Sequence, residues 1–164
     1  MQGRRIAILL ISFAALAGCT AIPAPGLPSR AEPLPNVVTS GQPDPESIGE
    51  LADAGYVAVI DLRGISEERG FDEQAVVESQ GMSYISLPVA GAADVTYENA
   101  SLLDDILSDV GGPVLLHCAS GNRVGALLSL RAHSRGASPE EALELGAEAG
   151  LSSLSDTVKA LINE

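Results

Sequence analysis

The sequence predicts an α/β domain, a central and mainly parallel sheet flanked by helices. Short β-branched and aliphatic runs alternate along the chain with longer segments of helical spacing. Capping residues and glycines mark the borders between them. The run Pro113-Val114-Leu115-Leu116 is wholly apolar, as a mid-sheet strand covered on both faces requires. Open parallel sheets bind ligands at the carboxyl ends of their strands, and His117 and Cys118 follow this run directly.

Each element has its own signal. Val37-Val38-Thr39 opens the domain near Asn36 as a short strand that runs into Ser40-Gly41-Gln42-Pro43. Asp44 is a good N-cap, Pro45 suits a first helical turn, and Gly55 stops that helix. Tyr56 to Leu62 is a buried β-branched strand. Asp72 to Gln80 is helical and ends at Gly81, and Met82 to Val89 is the next strand. A helix covers Tyr97 to Asp109, followed after Gly111-Gly112 by the strand Pro113 to His117. Helix resumes from Arg123 to Ser134. Ser138-Pro139-Glu140-Glu141 forms a capping box that opens a helix to Ala149. An amphipathic helix from Ser155 to Ile162 closes the chain.

The 164 residues hold one domain at roughly 100–200 residues per domain. Residues 1–19 join a basic start (Arg4, Arg5), an apolar run from Ile6 to Leu16, and Ala17-Gly18-Cys19. This is the pattern of a bacterial secretory signal. Its end, Leu16-Ala17-Gly18-Cys19, resembles the lipobox of bacterial lipoproteins, which implies cleavage before Cys19 and lipid attachment to it. The plainer alternative is an ordinary signal peptide with Cys19 incidental. Acyl chains contribute about 0.8 kcal/mol per buried CH₂, so two or three of them tether a domain firmly. Residues 20–35 carry five of the ten prolines and read as an extended linker. The expected organisation is a leader at 1–19, a linker at 20–35 and a domain at 36–164, exported and anchored to the membrane on its periplasmic side only through Cys19.

The chain carries 22 Asp+Glu against 9 Lys+Arg, a formal charge of −13. Such a body repels phosphate backbones and anionic headgroups, so nucleic-acid partners and electrostatic membrane docking are disfavoured. Two Cys and two His, not at ligand spacing, exclude a disulfide scaffold and a zinc ribbon. If Cys19 is lipidated, Cys118 is the only free thiol of an exported chain, and such a thiol calls for burial or chemistry.

The chemistry concentrates in His117-Cys118-Ala119-Ser120-Gly121-Asn122-Arg123-Val124. A strand, a short loop and a helix start aim successive backbone N–H groups at one point, with the positive helix end behind them. That field and the Arg123 guanidinium both favour a Cys118 thiolate. Gly121 admits dihedrals other residues resist, and Arg123 can hold an oxyanion in a bidentate fork. The combination suits thiolate attack on a small anionic substrate. A buried structural Cys before a tight turn is the bland alternative. His117 points to the opposite side of the strand from Cys118 and is expected to order the loop. Arg63, in Asp61-Leu62-Arg63, can reach the substrate mouth or form a structural ion pair, and the ion pair is the role expected of it.

His-Cys-x-x-Gly-x-Arg after a strand resembles the cysteine phosphatase superfamily. Thr39-Ser40-Gly41-Gln42-Pro43, Val59-Ile60-Asp61-Leu62-Arg63, Ile85-Ser86-Leu87-Pro88-Val89 and Ala147-Glu148-Ala149-Gly150-Leu151 extend the likeness over residues 36 to 162. Together they resemble the phosphatase-like domain of the beta-lactamase hydrolase-like proteins, a branch near the dual-specificity phosphatases. The resemblance implies Cys118 as nucleophile, Arg123 as oxyanion binder, and the backbone amides of residues 119–123 (Ala119, Ser120, Gly121, Asn122 and Arg123) as the substrate cradle. Two departures stand out. Tyrosine-type phosphatases place five residues between Cys and Arg, whereas this chain has four, a spacing like that of rhodanese sulfurtransferases. Val124 stands where those phosphatases usually carry a hydroxyl. Asp94, in a small-residue loop 24 residues before Cys118, is either the general acid or a turn cap.

Three functions follow: a cysteine-dependent phosphatase-like hydrolase, a sulfurtransferase carrying a persulfide on Cys118, and a non-catalytic anion- or partner-binding lipoprotein. None implies a metal or an organic cofactor.

Overall fold

The computed structural model describes Leu34 and residues 36–164. The leader at 1–19, the lipid site Cys19 and, apart from Leu34, the linker at 20–35 lie outside the described residues. Among the described residues no helix is long and apolar enough to cross a membrane.

Four short strands, β1 (Val37–Ser40), β2 (Ala58–Asp61), β3 (Ser83–Ser86) and β4 (Val114–His117), pair in parallel in the order β1-β4-β2-β3. β4 and β2 are buried at every residue, while the outer strands β1 and β3 are partly exposed. The apolar run after Pro113 therefore lies mid-sheet, where it has aliphatic contacts on both faces.

Alternation along the strands divides the core in two. Val59 and Leu115 face α1 (Pro45–Asp53) and α2 (Glu73–Ser79), packing with Ile48 and Val77. Ala58, Ile60, Val114 and Leu116 face the opposite layer. That layer is built from α3 (Tyr97–Asp109), α4 (Asn122–Ser134), α5 (Pro139–Glu148) and α6 (Ser155–Ile162). The same alternation places Asp61 and His117 on the α1/α2 side and Cys118 on the α3–α6 side, and this sorts the chemistry described below.

The expected caps are present. Asp44 accepts the Ser47 N–H at 2.8 Å, and Ser138 and Glu141 complete a capping box. β2 and β3 are shorter than the sequence suggests. Tyr56 is drawn off by Leu51, whose carbonyl accepts its N–H at 3.0 Å and finishes α1. Beyond Ser86, Pro88 has no N–H to offer, and the chain shifts so that Val89 donates to the Leu62 carbonyl at 2.9 Å.

Candidate active site

β4 ends at His117, and the chain turns through Cys118-Ala119-Ser120 to Gly121, which caps α4 at φ +85°. That left-handed conformation is why glycine stands there. The turn carries the Gly121 N–H to within 3.1 Å of the Cys118 Sγ, which accepts it. The sulfur has no solvent exposure, and Ala119 and Ser120 lie on the exposed side of the loop.

Arg123 lies in the first turn of α4 and faces back over the sulfur. Its Nη2 donates to Glu67 Oε2 at 2.9 Å, and its Nη1 donates to Glu67 Oε1 and to the Val89 carbonyl, the latter at 2.8 Å. Glu67 in turn accepts the Gly64 N–H at 2.7 Å. Arg123 beside it holds the Glu67 carboxyl down at about 2. The Glu67 hydrogen bond raises Arg123 above its ordinary value; burial opposes this, and the nearby Cys118 sulfur adds to the rise. Glu67 grips the end-on edge of the guanidinium, Nη1 and Nη2. The side-on edge, Nε–H with the second Nη2 hydrogen, is the part not engaged by this fork.

Three segments hold the loop from outside. The Gln42 N–H donates to the Ala119 carbonyl at 3.2 Å, and Gly41 passes so close that a Cβ there would lie 3.0 Å from the same oxygen. Asn122 turns its side chain outward, accepting from the Ser152 N–H at 2.8 Å and donating to Ser153 Oγ at 2.8 Å. Gly150, at φ +105°, packs on Gly121 with only 3.1 Å for an added Cβ. The Thr-Ser-Gly-Gln-Pro and Ala-Glu-Ala-Gly-Leu segments are therefore loop braces. Val124 is wholly buried in the same core as Cys118.

His117 is fully buried behind the loop, its Nε2 2.8 Å from Glu73 Oε1 and its Nδ1 3.4 Å from the Cys118 carbonyl. Asp61 accepts from the Arg63 N–H, from Arg69 and from Tyr84 Oη. Burial and Asp61 push Tyr84 up to about 12. Arg63 is buried and pairs with Glu67 at 3.7 Å, the structural role expected of it. Asp94 ends a 3₁₀ turn, and its carboxylate accepts the Ala90 N–H at 2.8 Å. This is capping geometry, in the segment that follows Val89.

Cys118, Gly121 and Arg123 thus meet at one point, with Ala119 and Ser120 on the exposed rim. The Asn122 side chain points away. Glu67 and Glu73 are absent from the sequence-based candidates. Both lie between β2 and the body of α2, at the carboxyl end of a strand parallel to β4, and strand ends on one side of a parallel sheet converge on one site. Acidic residues after Asp61-Leu62-Arg63 were the available signal.

A model of the beta-lactamase hydrolase-like protein, phosphatase-like domain, matches residues 33–134. Beta-lactamase hydrolase-like proteins from two strains of Xylella fastidiosa are each 35% identical over 95 residues, 56% of this chain. The match spans only 22% of those relatives' length. A candidate phosphatase from Neisseria meningitidis Z2491 superposes with a TM-score of 0.64 at 20% identity, covering 75% of this chain and 91% of that one. TpbA from P. aeruginosa, solved in complex with pTyr, gives 0.62 at 22% identity, covering 78% of each chain. These structures share the fold, and the family match covers the loop and all four strands of the sheet. This chain belongs to the phosphatase-like domain family of the beta-lactamase hydrolase-like proteins.

Proposed function

We propose that the domain is a cysteine-dependent phosphate-ester hydrolase acting on small anionic esters. The observation that carries this is the Arg123 guanidinium, fixed by Glu67 on one edge and set beside the Cys118 sulfur. In this reading the Cys118 thiolate attacks phosphorus while Arg123 and the loop amides hold the equatorial oxygens. The P–O bond to the leaving group breaks, and that oxygen takes a proton. Water then cleaves the thiophosphate, releasing phosphate and restoring the thiolate. Because the sulfur is closed off from solvent, the mouth must open before an ester reaches it. Asp94 is the candidate acid; the Ala90 N–H holds its Oδ2, and the other carboxyl oxygen is the one to carry the proton.

A sulfurtransferase is the second reading, favoured by the four-residue Cys-to-Arg spacing and by Val124. The full chain and its Cys118→Ser variant, each given an aryl phosphate or thiosulfate with cyanide, separate the two. The expected result is Cys118-dependent turnover of the aryl phosphate alone. Turnover of thiosulfate alone overturns it, and activity toward neither leaves an anion-binding module. The proposed location, exported and lipid-anchored at Cys19, predicts that Cys19→Ser releases the protein from the membrane fraction of an expressing bacterium; continued sedimentation overturns the anchor.

A further inference from the structure

We infer that Glu73 is a positioning residue, the buried hub that aims the first two amides of the active loop. For what the cradle holds, this rests on the proposed function; for the bracing itself it does not. Glu73 is 1% exposed, and each carboxylate oxygen leads to a different loop carbonyl. Oε1 lies 2.8 Å from His117 Nε2, and His117 Nδ1 faces the Cys118 carbonyl at 3.4 Å. Oε2 accepts Gln42 Nε2 at 3.1 Å, and the Gln42 N–H donates to the Ala119 carbonyl at 3.2 Å. Two consecutive carbonyls of the loop are thus each linked to one carboxylate through a single residue, His117 or Gln42.

The consequence follows from peptide planarity. In a trans peptide the C=O of one residue and the N–H of the next point in opposite directions. Holding the Cys118 carbonyl against His117 and the Ala119 carbonyl against the Gln42 N–H therefore turns the Ala119 and Ser120 N–H groups the other way, into the cradle. The proton inventory agrees. An imidazole nitrogen that carries its hydrogen donates to a carboxylate or carbonyl oxygen, and Oε1 and the Cys118 carbonyl are the oxygens facing the two ring nitrogens. Neither Nε2 nor Oε1 has a hydrogen-bond partner of good geometry among the described residues, so their ion-pair approach to each other is the contact available to both.

Asp61, Glu73 and His117 also bring three ligand-type atoms within 4.8 Å of one another. A cation fits this cluster poorly. Asp61 is already satisfied by the Arg63 N–H, the Tyr84 hydroxyl and the Arg69 guanidinium, whose Nη2 lies 2.8 Å from Oδ2. A metal ion would sit against that positive charge.

The test compares the full chain with Glu73→Gln, His117→Asn and the double variant. Amide hydrogen exchange over residues 118–121 and the dissociation constant for tungstate are measured, each beside a urea midpoint. Gln keeps the bulk and the link to Gln42 but lacks the charge that holds His117. Exchange should quicken at least about tenfold in Glu73→Gln, and tungstate binding should weaken about tenfold, the scale of one charge-assisted hydrogen bond. If Glu73 acts through His117, the double variant binds no more weakly than either single one. Unchanged exchange in folded Glu73→Gln, or losses that multiply to about a hundredfold, overturns the inference. Should Glu73→Gln fail to fold, Gln42→Ala tests the other arm: faster exchange at Ser120 is expected, and no change overturns it. If exchange quickens but the unaltered chain neither binds tungstate nor cleaves an ester, the bracing stands and the phosphatase reading falls.

Discussion

At the scale of single residues, the Glu67–Arg123 fork decides how the site presents charge. A carboxylate placed on an oxyanion-binding arginine acts as competitor or as support, and the edge it uses separates these roles. Glu67 takes Nη1 and Nη2, so it steadies the guanidinium. Glu67→Gln is therefore expected to lower kcat/KM about tenfold, and Arg123→Lys, which lacks the fork, about a hundredfold. Steady-state kinetics check both, and unchanged kcat/KM in either overturns its assignment. The pair also leaves a signature in stability. Glu67 titrates at about 2 against an ordinary 4.5, chiefly through its hydrogen bond to Arg123. A depressed carboxylate stabilises the fold above its unfolded value and loses that contribution as pH falls toward the folded one. The stability gap between the native chain and Glu67→Gln should stay level from pH 7 to 5, then close between about 4.5 and 2. Urea denaturation across that range reads it directly, and a gap that persists unchanged to pH 2.5 contradicts the assignment. Cys118, Gly121 and Arg123 were legible because they are neighbours in one short motif. Glu67 was not, because 56 residues separate it from Arg123 and only the fold brings them together.

At the scale of elements, helix borders were the most legible feature. Tyr97–Asp109 and Ser155–Ile162 fall where spacing put them, since caps and periodicity are local. Strand ends were less so: β2 and β3 stop where partner strands and Pro88 end the ladder, which no single segment encodes. The α4–α5 contact is a further relation hidden from the sequence. Gly125 on α4 lies so close to α5 and the connection that follows it that a Cβ would stand 2.3 Å from the Leu151 nitrogen and 2.4 Å from the Gly146 carbonyl. Both neighbours are backbone, so neither can swing aside. Gly125→Ala should cost about 3 kcal/mol or more through overpacking, despite the better helix propensity of alanine. It should also reach the active loop, because Gly150 in that connection packs on Gly121. Chemical denaturation measures the first effect. A stability loss below about 1 kcal/mol would show that α5 moves aside freely.

At the scale of the whole molecule, the question is what brings an anion to so acidic a chain. The site's charges are paired locally: Arg123 with Glu67, Arg69 with Asp61, and Arg63 with Glu67. Among the described residues no unpaired positive patch is left there to attract a dianion from a distance, so the formal charge of −13 governs the approach. This balance was only half legible. Net charge is a sum over the sequence, but the pairing depends on the order β1-β4-β2-β3, which sets the loop after β2 beside the loop after β4. Like-charge repulsion slows encounter, and salt shortens its reach from about 30 Å at 0.01 M to about 8 Å at 0.15 M. For a dianionic aryl phosphate, kcat/KM should therefore rise several-fold over that range of ionic strength, with kcat nearly constant because the bound complex is already desolvated. A basic substrate channel gives the opposite slope. Rates measured in sodium chloride at fixed pH decide it, and kcat/KM that stays flat or falls with salt means the mouth carries a positive field that the paired charges do not supply.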